Sequence, residues 1–265
     1  MSEIRVVIHG AGGRMGRRLI ALGMDDPALE IVAALERDEH ADAGRDAGEV
    51  AGIAPLGFQL SSELTTTADC LIDFSIAEAA DHVVEVCQQH QLPLVIATTG
   101  LNEARQAKVR ALADAVPVVW APNMSLAVNL TMKLVEQAAT ALKDCSGGAD
   151  VEIIERHHRF KEDAPSGTAL RFGEIVAEAM QQSQHRHGRQ GMVGQRPHDE
   201  IGYHSLRVGD DPGQHTIVFG MLGETIELSV RATNRDCYAL GALQAAQFVV
   251  KQKPGIYSMY DVLGL

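Results

Sequence analysis

Short apolar runs and amphipathic stretches alternate along the first 125 residues. Residues 4–9, Ile-Arg-Val-Val-Ile-His, are a β-branched run that reads as a strand. A glycine-rich turn follows, and Met15, Leu19, Ile20 and Leu22 then recur at helical spacing. Apolar runs at 30–36, 69–75, 92–100 and 116–123 predict four further strands, with helices over about 77–90 and 102–114 between the later ones. Strands that alternate with helices imply a doubly wound parallel sheet.

The pattern changes after residue 125. A long helix (126–143) leads into a strand at 150–158, and a second helix begins near 167. Three consecutive strands at 201–209, 213–222 and 224–233 have no helix between them. That succession predicts a mixed or antiparallel sheet in a second, α+β domain. A last helix, 237–251, is expected to pack back on the first domain. The polar stretch between these elements, with His185–Arg189 inside it, has no apolar period and is expected to be a mobile loop.

Charge and cysteine usage narrow the function classes. The 265 residues carry 23 Lys and Arg against 35 Asp and Glu, a net charge of −12, which disfavours binding to a nucleic-acid backbone. A small anion remains possible wherever basic residues cluster locally. Four cysteines, Cys70, Cys87, Cys145 and Cys237, form no CxxC pair. They suit a reducing compartment, and neither a disulfide framework nor a metal site is expected. The N-terminus runs straight into a strand pattern, and no apolar run approaches the roughly 20 residues that span a bilayer. The expected location is the cytoplasm, with no membrane partner.

Two stretches carry candidate chemistry. In Gly-Ala-Gly-Gly-Arg-Met-Gly, the glycines Gly10, Gly13 and Gly16 lie between a strand and a helix. Close backbone approach needs residues without a Cβ, and a helix N-terminus presents N–H groups to a pyrophosphate. Glu36 stands 20 residues past Gly16 at a strand end, which completes a dinucleotide fingerprint. Glu36 suits the ribose hydroxyls of NAD, while Arg37 beside it suits the 2′-phosphate of NADP, so use of both NADH and NADPH is expected.

The second stretch, Glu155 to Thr168, reads Glu-Arg-His-His-Arg-Phe-Lys-Glu-Asp-Ala-Pro-Ser-Gly-Thr. A strand end delivers His157 and His158 to a loop that carries Lys161. Pro165 ends the extended segment and Ser166 suits a helix N-cap. Gly167 and Thr168 then fall in a first turn whose N–H groups have no intrahelical partner. Together these make a cradle for a carboxylate or phosphate. The plainer alternative is a solvated turn in which Arg156, Arg159 and Lys161 pair with Glu155, Glu162 and Asp163. Amino-acid and sugar dehydrogenases, or a nucleotide-sensing regulator, would share the opening, and only residues 155–169 set this chain apart from them.

These motifs, with Ala-Thr-Thr-Gly (97–100), Ala-Pro-Asn-Met-Ser (121–125) and the closing Gly-Ile-Tyr-Ser-Met-Tyr-Asp-Val-Leu, resemble the dihydrodipicolinate reductase family over the whole chain. The resemblance implies a Rossmann-type domain from 1–125 and 235–265 that binds the dinucleotide. It implies a substrate-binding and oligomerisation domain at 126–234 that builds a homotetramer. The activity implied is NAD(P)H-dependent reduction of a small cyclic dicarboxylate on the diaminopimelate–lysine pathway. By position, Gly10, Ala11, Gly12, Gly13, Arg14 and Met15, with Glu36 and Arg37, would hold adenosine and pyrophosphate. Ala97, Thr98, Thr99, Ala121, Pro122, Asn123 and Met124 would line the nicotinamide half. His157 would donate a proton with Lys161 assisting, and His158, Gly167 and Thr168 would bind substrate carboxylates. Ala97 stands where the family commonly has glycine, and Met124 where it has an aromatic residue. Both departures bear on cofactor preference, not on the reaction.

The chemistry of the implied reaction is consistent with these roles. A hydride delivered to a conjugated C=C–C=N system leaves negative charge on the substrate, which an acid must then protonate. A lysine places positive charge where that charge develops. Cations around His157 should keep it neutral in the free protein, and a bound dicarboxylate should favour its charged form.

Overall fold

A computed structural model describes residues 3–265. In chain order its elements are β1 (Ile4–His9), α1 (Arg14–Met24), β2 (Leu29–Leu35), α2 (Ala47–Ala51), β3 (Leu60–Ser61), β4 (Cys70–Asp73), α3 (Ala80–His90), β5 (Leu94–Ile96), α4 (Glu103–Leu112) and β6 (Pro117–Trp120). There follow α5 (Leu126–Leu142), β7 (Asp150–His157), α6 (Gly167–Met180), β8 (Gln184–His187), β9 (Glu200–Arg207), β10 (Gln214–Met221), β11 (Glu224–Arg231), α7 (Asp236–Val249), β12 (Gly255–Tyr257) and α8 (Met259–Leu263). The chain separates into two compact units, one running to Leu126 and including Asp236–Leu265, the other Ala127–Arg235. Among the described residues no helix is long and apolar enough to cross a membrane.

The first unit is built on a seven-stranded sheet ordered β12-β6-β5-β4-β1-β2-β3, parallel at every pair. Both faces are covered, which is why its strands read as nearly unbroken apolar runs. Val6, Ile8, Ile72 and Val119 join Leu19 and Ile20 of α1 and the alanines of α7 in one core. Their strand neighbours Val7, Leu71 and Val118 join Val83 and Cys87 of α3 and Val109 and Leu112 of α4 in another. Side chains alternate across a strand, so one run of residues feeds two cores. Helix α7 packs closely because its buried positions are small; a Cβ on Gly241 would collide with the carbonyl of Met124.

Strand order reverses between β1 and β4, whose carboxyl ends are His9 and Asp73. In open parallel sheets ligands bind at such a reversal. The expected strands at 92–100 and 116–123 are shorter in the structure, ending at Ile96 and Trp120. Their later residues, including Thr98, Thr99 and Ala121–Met124, leave the sheet as loops.

The second unit holds a five-stranded mixed sheet ordered β11-β10-β7-β9-β8. Strand β7 pairs parallel with β9 and antiparallel with β10. One face packs through Ile153, Ile217 and Phe219, and α6 contributes buried Phe172, Ile175 and Val176.

The expectation of a mobile loop around His185–Arg189 is corrected. Residues 184–187 form β8, an edge strand parallel to β9. Its side chains are all exposed, so no apolar period announces it, and backbone pairing with β9 makes it a strand, with His185 and His187 stacked on Tyr203. Beyond it, Arg189 and Arg196 reach Glu152 at 2.6 and 3.1 Å. Burial opposes the charge on Glu152, but Arg189, His204 and Arg196 bring its pKa down to about 2.

Candidate active site

The glycine turn follows β1 directly. The N–H groups of Gly10 and Ala11 both donate to the carbonyl of Leu35, at 3.0 and 3.1 Å, which ties the turn to β2. Gly10 has φ of +74°, and a Cβ on it would lie 2.9 Å from the Phe74 carbonyl oxygen. A Cβ on Gly16 would strike the Gly10 carbonyl, so α1 starts hard against the turn. No side chain caps α1, leaving its first-turn N–H groups for another acceptor. The Glu36 carboxylate accepts from the N–H of Gly12 at 3.0 Å and of Arg37 at 3.1 Å.

Gly10, Gly13, Glu36 and Arg37 line a cavity of about 600 Å³ together with His9, Phe74, Ser75 and His82. A glycine cradle, an uncapped helix start and a carboxylate at the mouth fit a dinucleotide. Ala11 is fully buried, Gly12 is tied to Glu36, Met15 packs against the core and Arg14 is exposed. A second cavity, about 250 Å³, is lined by Ala97, Pro122, Asn123 and Met124 with Phe74 and Tyr238. Thr98 is buried and its hydroxyl donates to Asp73 at 2.6 Å. The other Asp73 oxygen meets His9 Nδ1 at 2.8 Å, so a fully buried carboxylate anchors the loops after β1 and β5. Thr99 is exposed on its loop, and Ala121 is buried with its N–H on the Ile96 carbonyl. Asp73 is not legible in the sequence, because His9 lies 64 and Thr98 25 residues away along the chain and only sheet pairing brings them to it.

In the second unit His157 ends β7, and His158 and Lys161 follow in the loop. His157 is 9% exposed, and its Nδ1 lies 2.5 Å from Glu155. Arg207 of β9 grips the same carboxylate with two nitrogens, at 2.9 and 2.8 Å. Strand register explains the meeting: His157 pairs with Arg207, while His215 of β10 pairs with Glu155. Ser166 caps α6 by accepting from the Ala169 N–H at 3.2 Å, and its hydroxyl lies 3.0 Å from His215 Nε2. Gly167 and Thr168 open the helix as expected. A Cβ on Gly167 would meet no atom within 4 Å, so packing does not require glycine there.

His158 Nδ1 is enclosed with no hydrogen-bond partner. Lys161 donates to Asp163 at 2.7 Å and Arg156 to Asp211 at 2.6 Å. The plainer reading of a paired charged turn thus holds for the Lys161–Asp163 contact, while His157 is buried and His158 is half-buried with its Nδ1 enclosed.

Burial pushes the His157 pKa down; Glu155 opposes this, and Lys161 and Arg207 add to it. The free protein therefore favours neutral His157, as expected, although burial outweighs the cations expected to cause it. Burial also lowers His215, to about 4, with help from His157. Glu155, Arg207 and His215 were absent from the sequence-based site. One signal was readable: Glu155 and His157 are two apart on a strand and share a face.

Residues 4–124 match the family pattern described as dihydrodipicolinate reductase, N-terminus, and residues 127–263 match its C-terminus. The 4-hydroxy-tetrahydrodipicolinate reductase of Rhodopirellula baltica is 56% identical, covering 99% of this chain and 96% of its own. That of Alkalilimnicola ehrlichii is 48% identical over 98% of this chain and 99% of its own. Among solved structures, the dipicolinate-bound dihydrodipicolinate reductase of Paenisporosarcina sp. TG-14 superposes with a TM-score of 0.79 at 25% identity. The match covers 98% of this chain and 99% of that one.

Proposed function

The chain belongs to the dihydrodipicolinate reductase family, and on that premise we infer how its residues divide the work. It is an NAD(P)H-dependent oxidoreductase that reduces 4-hydroxy-tetrahydrodipicolinate on the diaminopimelate–lysine pathway. Bound NADH or NADPH supplies the hydride. Residues 10–15 with Glu36 and Arg37 would hold its adenosine and pyrophosphate, and Ala97–Thr99 with Ala121–Met124 would hold its nicotinamide half. The domain of residues 1–125 and 235–265 is accordingly the dinucleotide-binding one, and 126–234 takes the substrate.

His157 is the proton donor, and the observation that carries this is its enclosure beside Glu155, in the loop that brings Lys161 and the start of α6. As the substrate gains negative charge, His157 gives it a proton and Lys161 offsets the charge. The substrate's carboxylates are taken by the first-turn N–H groups at Gly167 and Thr168 and by His158, whose enclosed Nδ1 lacks a partner. Gly167 leaves room for a carboxylate at the helix start. The test is oxidation of NADH or NADPH with substrate formed in place from pyruvate and aspartate semialdehyde by a condensing synthase. Oxidation that needs every component, with comparable turnover on both nucleotides, is expected. Cofactor binding without turnover would overturn the activity, and turnover on one nucleotide alone would overturn dual use.

The enzyme works in the cytoplasm as a homotetramer joined through the second unit's sheet. Ile154 and Leu206 stand exposed on the face opposite Ile153 and Phe219, an apolar patch suited to burial between copies. Light scattering is expected to return four chain masses; a monomeric mass at working concentration would refute the assembly.

A further inference from the structure

Glu155 is 1% exposed, yet its carboxylate is fully engaged. It accepts from both nitrogens of Arg207, from the Ser166 backbone N–H at 3.3 Å and from His157 Nδ1. A buried carboxylate left alone would take up a proton. Here burial is outweighed by Arg207 and His157, and the pKa falls to about 2. Arg207 and His157 thus favour the charged form of Glu155. The other ring nitrogen, Nε2, faces Gly213, whose added Cβ would lie 2.9 Å from it. Gly213 has φ of +148°, a conformation that disfavours a side chain, and its N–H is tied to Asp211 at 3.0 Å, so nothing larger than glycine crowds Nε2 from that position.

We propose that Glu155 and Arg207 are positioning residues for His157: Glu155 pins Nδ1–H so that Nε2 alone delivers the proton, and Arg207 holds Glu155 in place. This rests on His157 being the acid. In the step, the Nε2–H bond breaks and its proton passes to the substrate atom that bears the developing charge. The ring is left neutral with its remaining proton on Nδ1, still donated to Glu155, and solvent returns a proton to Nε2. An acid fixed in one tautomer presents one nitrogen, with no ring flip between turnovers. The charged or titratable groups facing the ring are Glu155 on its own strand, Lys161 in the loop, Arg207 on β9 and His215 on β10. Glu155 is the one negative charge among them.

Glu155→Gln is expected to lower kcat about tenfold or more, part of what general acid catalysis contributes, with KM for the nucleotide little changed. It should also move the basic limb of the kcat profile to lower pH, because the imidazolium loses its counter-charge. Arg207→Gln should also lower kcat, but with the basic limb moved to higher pH, because a cation beside the ring is lost; Arg207→Lys should recover part of the loss. Added to His157→Gln, Glu155→Gln should cost nothing further, since residues acting as a unit are not additive. A second loss of equal size in that background, or wild-type kcat and pH profile in both single variants, would overturn the proposal. If His157→Gln itself turned over normally, the assignment of the acid would fall first. Nitrogen-15 spectra of the unaltered enzyme give a check free of any folding defect. Neutral His157 should carry its proton on Nδ1, and a proton on Nε2 would refute the pinning.

Discussion

Replacing His157 by glutamine is expected to lower kcat about a hundredfold or more, the range that general acid catalysis contributes. Glutamine is near histidine in reach and can still donate to Glu155, so the buried carboxylate keeps a partner and folding should survive. What it cannot do is release a proton. Hydride transfer then depends on water for protonation, and KM for the nucleotide should stay near the wild-type value. The pH profile offers an independent reading of the same residue. The donor must be protonated, so activity is present below its pKa and lost as pH rises through it. In the free enzyme burial holds that pKa down, with Lys161 and Arg207 adding to the effect against Glu155. A bound dicarboxylate adds negative charge beside the ring and raises it. The basic limb of kcat, which reports the complex, should therefore lie at higher pH than that of kcat/KM, which reports the free enzyme. Coincident limbs in the wild type, or normal turnover in the variant, would remove His157 from the mechanism.

Lys161→Ala is expected to cost a comparable factor, about a hundredfold in kcat, because a charge placed where the transition state gains charge acts on the chemical step. Without ligand the ammonium is held by Asp163 at 2.7 Å. That contact keeps Asp163 ionised, through the Lys161 hydrogen bond first and against a smaller burial effect. A substrate carboxylate arriving at the loop competes for the same ammonium. KM for the dicarboxylate should rise along with the fall in kcat, which distinguishes Lys161 from His157. Arginine at this position keeps the charge but not the compact ammonium, and should recover part of the rate. A variant with wild-type kcat and only a raised KM would make Lys161 a binding residue.

Much of this enzyme was fixed by local pattern. The β-turn-α-β opening, the glycines, Glu36 at a strand end and the switch from alternating to consecutive strands all follow from periods of 2 and 3.6 and from residues without a Cβ. Ser166 was readable as a cap and Gly167–Thr168 as a helix start because capping is settled within four residues of chain. Edge strand β8 was not readable, since all four of its side chains are exposed and pairing with β9, not an apolar period, makes it a strand. The environment of His157 was likewise decided in three dimensions. Glu155 could be placed on its face by counting, but Arg207 and His215 lie 50 and 58 residues further along the chain (207 − 157 and 215 − 157). They arrive only because β7 pairs parallel to one strand and antiparallel to another. Asp73 is the same case in the first unit, binding His9 and Thr98 from neighbouring strands. Sequence determines what a residue can do and the element it sits on; sheet register, a long-range and cooperative property, determines which charges surround it and so when it carries its proton.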